Sequence, residues 1–368
     1  MHRVMLVIGA NQIGGAERQV QQLARAFLQS GVAASIVFLE RPGRRPQGDQ
    51  LDLRGLPHHY LHSRSLSRRW ARWRLARLLK SERPDILHLY NLEAMELAAP
   101  VARRLGVPIV IGNVRGLLFT LDAGIRERLR SVSSLCDAVT GNCTAISEAI
   151  ASLHLRGPLM TPTISNIIEF APPSTTSRRA ASQPARVLFV ATLKPVKDPQ
   201  TFIRAGLQLL AAKRSVEFLL AGDGPMRGEL EELVATSDAQ SKFSFLGRMN
   251  PSALPYSSSA LTVSTSRSEG ASNTILESLA HGCPVVATAV GGSVEILQNS
   301  RAGILVPPGA PQATADAIAR LLDSSEEREM MGCLGRAYIA EKHAPAMVLA
   351  QQLELFQRLR SLKKADTQ

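Results

Sequence analysis

The sequence predicts two α/β halves in tandem, each a parallel sheet covered by helices. Three observations lead there. Short apolar runs of strand length alternate with helical patterns through both halves, which is how a sheet buried on both faces reads. The chain has 368 residues, beyond the roughly 250 to 300 that one core sustains. And Ala171 to Pro184, with three prolines and no apolar periodicity, divides it near the middle. The expected division is residues 1–170, a linker over 171–184, residues 185–345, and a terminal helix within 346–368.

In the first half, Val4 to Ile8 is a short buried strand. The loop Gly9 to Gly15 follows, then a helix carrying Val20, Leu23, Ala24, Phe27 and Leu28 at spacings of three and four. Gly31 ends that helix, and Ala34 to Leu39 is the next strand. A helix over about Ser67 to Ser81 leads to a strand Ile86 to Tyr90, then a helix Ala94 to Leu105 and a strand Ile109 to Ile111. Beyond the linker come the strand Val187 to Val190, the helix Phe202 to Leu210 and the strand Phe218 to Ala221. The helix Met226 to Val234 and the strands Phe243 to Leu246 and Leu261 to Ser264 follow, then the helix Thr274 to Ala280 and the strand Pro284 to Ala287. The last pattern, Ala346 to Leu362, is a long helix with Val348, Leu349, Leu353, Leu355, Phe356 and Leu359. Strands separated by helices are parallel, because the crossover needs a helix to return the chain.

With 45% hydrophobic and 20% charged residues, disorder is excluded as the main state. Cys136, Cys143, Cys283 and Cys333 form no Cys-x-x-Cys pair, so neither a disulfide framework nor a zinc site is suggested, and a reducing cytoplasm fits. The apolar run before Asn11 is too short for a secretory leader, and no window reaches the roughly 18 apolar residues of a membrane span. The charge is uneven. The net is +12, and Arg41 to Lys80 alone carries 11 basic residues against Asp49 and Asp52.

The most informative stretch for chemistry is Ser264 to Glu277. A strand ends, a loop carries Glu269 and Gly270, and the small residues Ala271, Ser272, Asn273 and Thr274 open a helix. Such a helix start aims backbone N–H groups and the positive end of the helix dipole at an anion such as a diphosphate. Glu277, one turn in, can reach a ligand's hydroxyls. A capped helix with a surface glutamate is the plain alternative for either carboxylate alone. Two carboxylates flanking one anion site favour the ligand.

Glu269 and Glu277, with seven residues between them, resemble the signature of the retaining family-four glycosyltransferases of the GT-B fold. Other landmarks of that family stand in the same order. Gly14-Gly15-Ala16-Glu17 resembles its N-terminal glycine loop, and Ser165-Asn166-Ile167-Ile168-Glu169 its entry to the interdomain linker. Lys197, in Thr192-Leu193-Lys194-Pro195-Val196-Lys197-Asp198, resembles its phosphate-binding lysine. Gly222-Asp223-Gly224-Pro225, Gly247-Arg248 and Gly291-Gly292-Ser293-Val294-Glu295 complete the set.

The resemblance implies two Rossmann-like domains facing a central cleft, with the C-terminal helix crossing back to the N-terminal domain. It implies a nucleoside-diphosphate sugar as donor. Glu269 would hold the donor sugar's hydroxyls and Glu277 the ribose, with Lys197 and the amides of Gly270, Ala271, Ser272, Asn273 and Thr274 on the diphosphate. Gly15 would let the backbone approach the phosphates, or simply make a tight turn. A turn also accounts for Gly222 and Gly224 better than direct contact does. No Asp-x-Asp occurs, so no metal or other cofactor is expected. Two positions depart from the family. Thr192 stands where an arginine is usual, with Lys194 as a possible substitute. After the strand at Ile111 the chain has Asn113 and Arg115 where many members place a histidine. Arg115 could bind an anionic donor or acceptor group, or be a salt-bridged loop residue.

Leu66 to Lys80 holds both tryptophans of the chain. At about 100° per residue, Leu66, Trp70, Trp73, Ala76 and Leu79 share a side. The plain reading is a helix packed by that stripe. The functional one is an anionic membrane patch of Arg68, Arg69, Trp70, Arg72, Trp73 and Arg74; both hold if the helix packs by its leucines. Nucleic acid is not expected, since no reading motif accompanies the basic stretch. The expected protein is a retaining transferase acting on a lipid-linked or polysaccharide acceptor of the cell envelope, in the cytoplasm and peripheral on the inner face of the membrane. A non-catalytic nucleotide-sugar binder and a sugar-nucleotide epimerase are the alternatives.

Overall fold

The computed structural model describes residues 2–11, 14–40, 50–62, 68–116, 122–155, 160–169 and 184–365. The predicted linker, but for its last residue, lies outside the described residues. The chain divides into two compact units, residues 1–167 with 345–368, and residues 168–344.

The first unit begins with β1 (Arg3–Ala10), α1 (Gly15–Gln29), β2 (Ala33–Glu40) and β3 (His58–Tyr60). It continues through α2 (Arg68–Glu82), β4 (Ile86–Tyr90), α3 (Leu92–Arg104), β5 (Ile109–Val114), α4 (Ala123–Ser133), β6 (Ala138–Gly141) and α5 (Thr144–Ala151). Its sheet runs β3-β2-β1-β4-β5-β6, all parallel. The apolar runs of β1, β2, β4 and β5 are buried on both faces, as their sequences require.

The second unit holds β7 (Ala185–Val190), α6 (Pro199–Ala211), β8 (Val216–Ala221), α7 (Arg227–Ala235), β9 (Phe243–Gly247) and β10 (Leu261–Ser264). After these come α8 (Asn273–Ala280), β11 (Val285–Thr288), α9 (Gly292–Ser300), β12 (Gly303–Val306), α10 (Pro311–Asp323) and α11 (Ser325–Lys342). Its order, β12-β11-β10-β7-β8-β9, is again parallel and repeats the topology of the first. The two halves predicted from alternation are therefore the same doubly wound design used twice.

The final helix, α12 (Pro345–Ala365), returns to the first unit. Val348, Leu355, Phe356 and Leu359 lie at spacings of about one and two turns and enter the core formed by β1, β2 and α1. Phe356 stacks on Phe27 with ring centroids 5.9 Å apart. Gln351 accepts a bond from the Ser165 amide at 3.0 Å, and Lys363 pairs with Asp137 at 2.8 Å.

The stripe by which α2 packs differs from the expected one. Ala71, Leu75 and Leu79 are buried, whereas Trp70 and Trp73 are 54% and 49% exposed. Small and aliphatic residues four apart let the helix approach α3 closely, and that orientation turns Arg68 and Arg72 to Glu96. Leu66 lies outside the described residues.

Phe356→Ala should cost about 3 to 5 kcal/mol, the range for a buried aromatic truncated in a core. Urea unfolding followed by circular dichroism measures it; an unchanged midpoint would mean that α12 does not close this core.

Candidate active site

In the second unit the chain leaves β7 toward β8 and β9, then crosses to the other side of β7 to form β10, β11 and β12. The loops after β7 and β10 are thereby neighbours at the carboxyl ends of adjacent strands, the position where open parallel sheets bind ligands. After β7 the chain makes a 3-10 turn, Pro195–Lys197, and Asp198 then caps α6. After β10 the loop runs to Ser272, which precedes α8 without a side-chain cap bond.

Several bonds lock these loops together. The Arg267 amide donates to the Val196 carbonyl at 2.8 Å, and the Thr265 hydroxyl to the Asp198 carbonyl at 2.7 Å. Thr274 Oγ1 donates to the Val190 carbonyl at 3.0 Å. Lys197 and Glu269, predicted separately from distant motifs, meet as an ion pair, their side chains 22% and 16% exposed. Ser266 Oγ donates to the same Glu269 oxygen at 3.0 Å. A cation and a carboxylate are thus held beside the start of α8, where the helix dipole is positive.

Glu277 lies in the second turn of α8 and accepts a bond from the Tyr256 hydroxyl at 3.2 Å. Gly270, Ala271 and Ser272 are buried, and Asn273 and Thr274 are half-buried. A Cβ on Gly292, at the start of α9, would stand 2.7 Å from the Gly270 carbonyl oxygen, so α9 packs directly on this loop. Lys194 is exposed ahead of the 3-10 turn. Gly222, at φ 142°, has its Cβ position 1.8 Å from the Ala191 carbonyl oxygen. The Gly222-x-Gly224 motif therefore serves close backbone approach between the loops after β7 and β8. Among the described residues no three His, Cys, Asp or Glu side chains are grouped as metal ligands.

The first unit gathers a polar cluster at the carboxyl ends of its central strands. Arg115, just past β5, donates to Asn166 Oδ1, and its guanidinium lies 6.0 Å from the centroid of Tyr90. Burial lowers the Arg115 pKa from its ordinary value, opposed by Tyr90 and Glu17. Asn113, on β5, donates to Thr140 Oγ1 at 2.7 Å while its Oδ1 is buried without a partner. His88, on β4, is fully buried with neither ring nitrogen bonded, and burial holds its pKa down to about 3. It is a neutral imidazole at any physiological pH. Gly15 opens α1, after Gly14 in an extended conformation, and the Glu17 carboxylate lies over the Gly14 Cα.

Residues 184–324 match the family described as glycosyl transferases group 1, and residues 13–159 match Glycosyltransferase Family 4. The chain belongs to the family 4 glycosyltransferases. An α-D-kanosaminyltransferase from Streptomyces kanamyceticus is 35% identical over 147 residues, 39% of this chain and 38% of the relative, so that match spans well under two thirds of its length. A lipopolysaccharide core biosynthesis glycosyltransferase, LpsE, from Rhizobium meliloti is 22% identical over 93% of this chain and 95% of its own. Anabaena Alr3699/HepE, solved in complex with UDP and glucose, superposes with a TM-score of 0.81 at 17% identity, covering 97% of this chain and all of that one. The fold is GT-B.

For this family 4 member, motif reading singles out Lys197, Glu269 and Glu277 but not the residues that hold them. Tyr256 was missed because its partner Glu277 is 21 residues away. Asp198 sits in the quoted lysine motif, yet its role shows only in three dimensions. It is 2% exposed, adopts a left-handed φ of 46°, and receives the Thr201 hydroxyl at 3.0 Å and Arg267 Nε at 3.1 Å. Asp198→Ala removes the helix cap and strains the left-handed residue, so it should cost about 1 to 3 kcal/mol. Asp198→Asn, which keeps the cap and tolerates that conformation, should recover most of it. Equal urea midpoints for wild type and the alanine variant would contradict the role.

Proposed function

We propose that this protein is a retaining glycosyltransferase that moves a sugar from a nucleoside diphosphate to a cell-envelope acceptor, either lipid-linked or a polysaccharide. The observation that carries the reading is the Lys197–Glu269 pair beside the start of α8. Charge grows on the diphosphate as its bond to the sugar breaks. A lysine ammonium and the amide-bearing end of a helix stabilise that charge without a divalent ion. Bound donor would draw Lys197 from Glu269 toward phosphate and free the carboxylate to accept sugar hydroxyls. Glu277, already oriented by Tyr256, would take the ribose.

The second unit would then hold the donor, and the first the acceptor, near Asn113 and Arg115. The sugar's bond to the leaving phosphate oxygen breaks, a bond to the acceptor oxygen forms on the same face, and the acceptor proton passes to the departing diphosphate. Arg115, half-buried and tethered by Asn166, would recognise an anionic group of donor or acceptor. The likeness to LpsE supports an envelope acceptor, and the HepE complex supports a uridine nucleotide donor. A position on the inner face of the membrane is supported by the exposed Trp70 and Trp73 among arginines on α2. Among the described residues no helix is long and apolar enough to cross a membrane.

Purified protein incubated with UDP-, GDP- and other activated sugars and a lipid extract should release nucleotide and give product of unchanged anomeric configuration. Isomerised donor would indicate an epimerase, and tight binding without turnover a binder, the reading that Thr192 and Asn113 motivate. Lys197→Ala should lower turnover by about 100- to 1,000-fold, the loss typical of one charge-stabilising donor. Glu269→Ala should abolish turnover with an unchanged circular dichroism spectrum; near-normal activity would remove the site assignment.

A further inference from the structure

The edge of the first sheet carries a basic groove that the transfer reaction does not use. β3 is the terminal strand, and α2 lies beside it. Between them is a cavity of about 670 Å³ lined by His59, Tyr60, Arg74, Arg77, Lys80 and Ser81 among others. A second, of about 370 Å³, continues along the same helix between Trp70, Trp73, Arg74 and Arg77. Among the described residues no carboxylate lines either cavity.

The arginines of α2 divide by partner. Arg68 pairs with Glu96 at 3.2 Å, and Arg72 donates to the Glu96 carbonyl at 3.1 Å, so both are spent on α3. Arg77 instead lies 4.9 Å over the ring of Trp73. Trp73 in turn meets Trp70 edge to face at 5.0 Å. Trp70, Trp73, Arg77 and Lys80 recur at three and four residues, so indoles and cations share one exposed flank of the helix.

We infer that this groove binds the phosphate of an anionic phospholipid headgroup, with Trp70 and Trp73 resting at headgroup depth beside it. Guanidiniums grip phosphate oxygens through paired N–H donors, and Lys80 and Ser81 add further donors. Indole rings favour the interface between headgroup and acyl chain, where one edge is apolar and the other wet. The inference rests on the peripheral-membrane reading and adds which residues meet the lipid: Arg74, Arg77 and Lys80, in place of Arg68 and Arg72.

Trp70 and Trp73 are the chain's two tryptophans, so intrinsic tryptophan fluorescence reports on this flank alone. Titrating the full chain with phosphatidylcholine vesicles containing phosphatidylglycerol should shift the emission to the blue, and phosphatidylcholine alone should not. Arg74→Gln/Arg77→Gln/Lys80→Gln should weaken vesicle binding by about 100-fold, since three cations contribute roughly a factor of five each against an anionic surface. Arg68→Gln/Arg72→Gln should stay within about threefold of wild type. Circular dichroism checks that both variants fold. Cosedimentation without a blue shift, or equal loss in the two variants, would overturn the groove while leaving membrane association standing. No cosedimentation would remove both. A shift produced by inorganic phosphate but not by vesicles would make this a free-phosphate site, and one produced only by an oligonucleotide would replace lipid by nucleic acid; either overturns the lipid assignment. None of these outcomes depends on sugar transfer.

Discussion

The strand order of the second sheet is the constraint from which the candidate site follows. β7 and β10 are neighbours although 76 residues separate their starts at Ala185 and Leu261, because the chain reverses its direction of winding between them. Two loops that carry opposite charges are thereby forced to the same sheet edge. Had the chain continued past β9, Lys197 and Glu269 would lie strands apart. Everything local then serves to hold that adjacency: Thr265 and Arg267 bond back to the lysine turn, Asp198 caps α6, and Thr274 ties α8 to the end of β7. Glycines fill the places where backbones touch, since a side chain at Gly222 or Gly292 would overlap a neighbouring carbonyl.

The first sheet shows the same reversal between β1 and β4, and it too collects polar side chains there. Their state differs from that in the second unit. Lys197 and Glu269 neutralise one another, whereas Arg115 relies on an amide and an aromatic face. A guanidinium without a bonded carboxylate among these partners retains its attraction for an anion. Each reversal point therefore has its own electrostatic character, an ion pair in the second unit and, in the first, a guanidinium held by an amide and an aromatic face within the field of Glu17.

Periodicity made most of the fold legible. Helices such as α1 and α12 with apolar residues three and four apart, and strands such as Ile86–Tyr90 with continuous apolar runs, stand out because tertiary burial dictates their composition, whereas α10 and α11 went unread. β3 did not, since His-His-Tyr is a three-residue edge strand in which only Tyr60 packs against the core. β6, Ala-Val-Thr-Gly, is too short to show a period, and its Gly141 is required because a Cβ there would meet Ser147 at 2.6 Å. On α2 the wheel was drawn through the tryptophans on the assumption that large apolar residues face inward. The helix packs instead by Ala71, Leu75 and Leu79, the alternative in which its leucines face inward and Trp and Arg stay exposed. The site's charged residues were legible as ordered motifs; Asn166 and Asp198 stand in those motifs too, but their bonds to Arg115 and Arg267, like that of Tyr256 to Glu277, span sequence distances that motifs do not encode.

The return of α12 to the first unit bears on how the protein is made. Phe27 and its neighbours wait for Phe356, which is synthesised only after the whole second unit. At an elongation rate of about 5 to 20 residues per second, the 177 residues from Ile168 to Ala344 take roughly 10 to 35 s to synthesise. During that interval the second unit has its whole sequence available, while the first presents an uncovered apolar surface to the nascent-chain environment. Completion thus runs against chain order: the first unit begins before the second and closes its core after it.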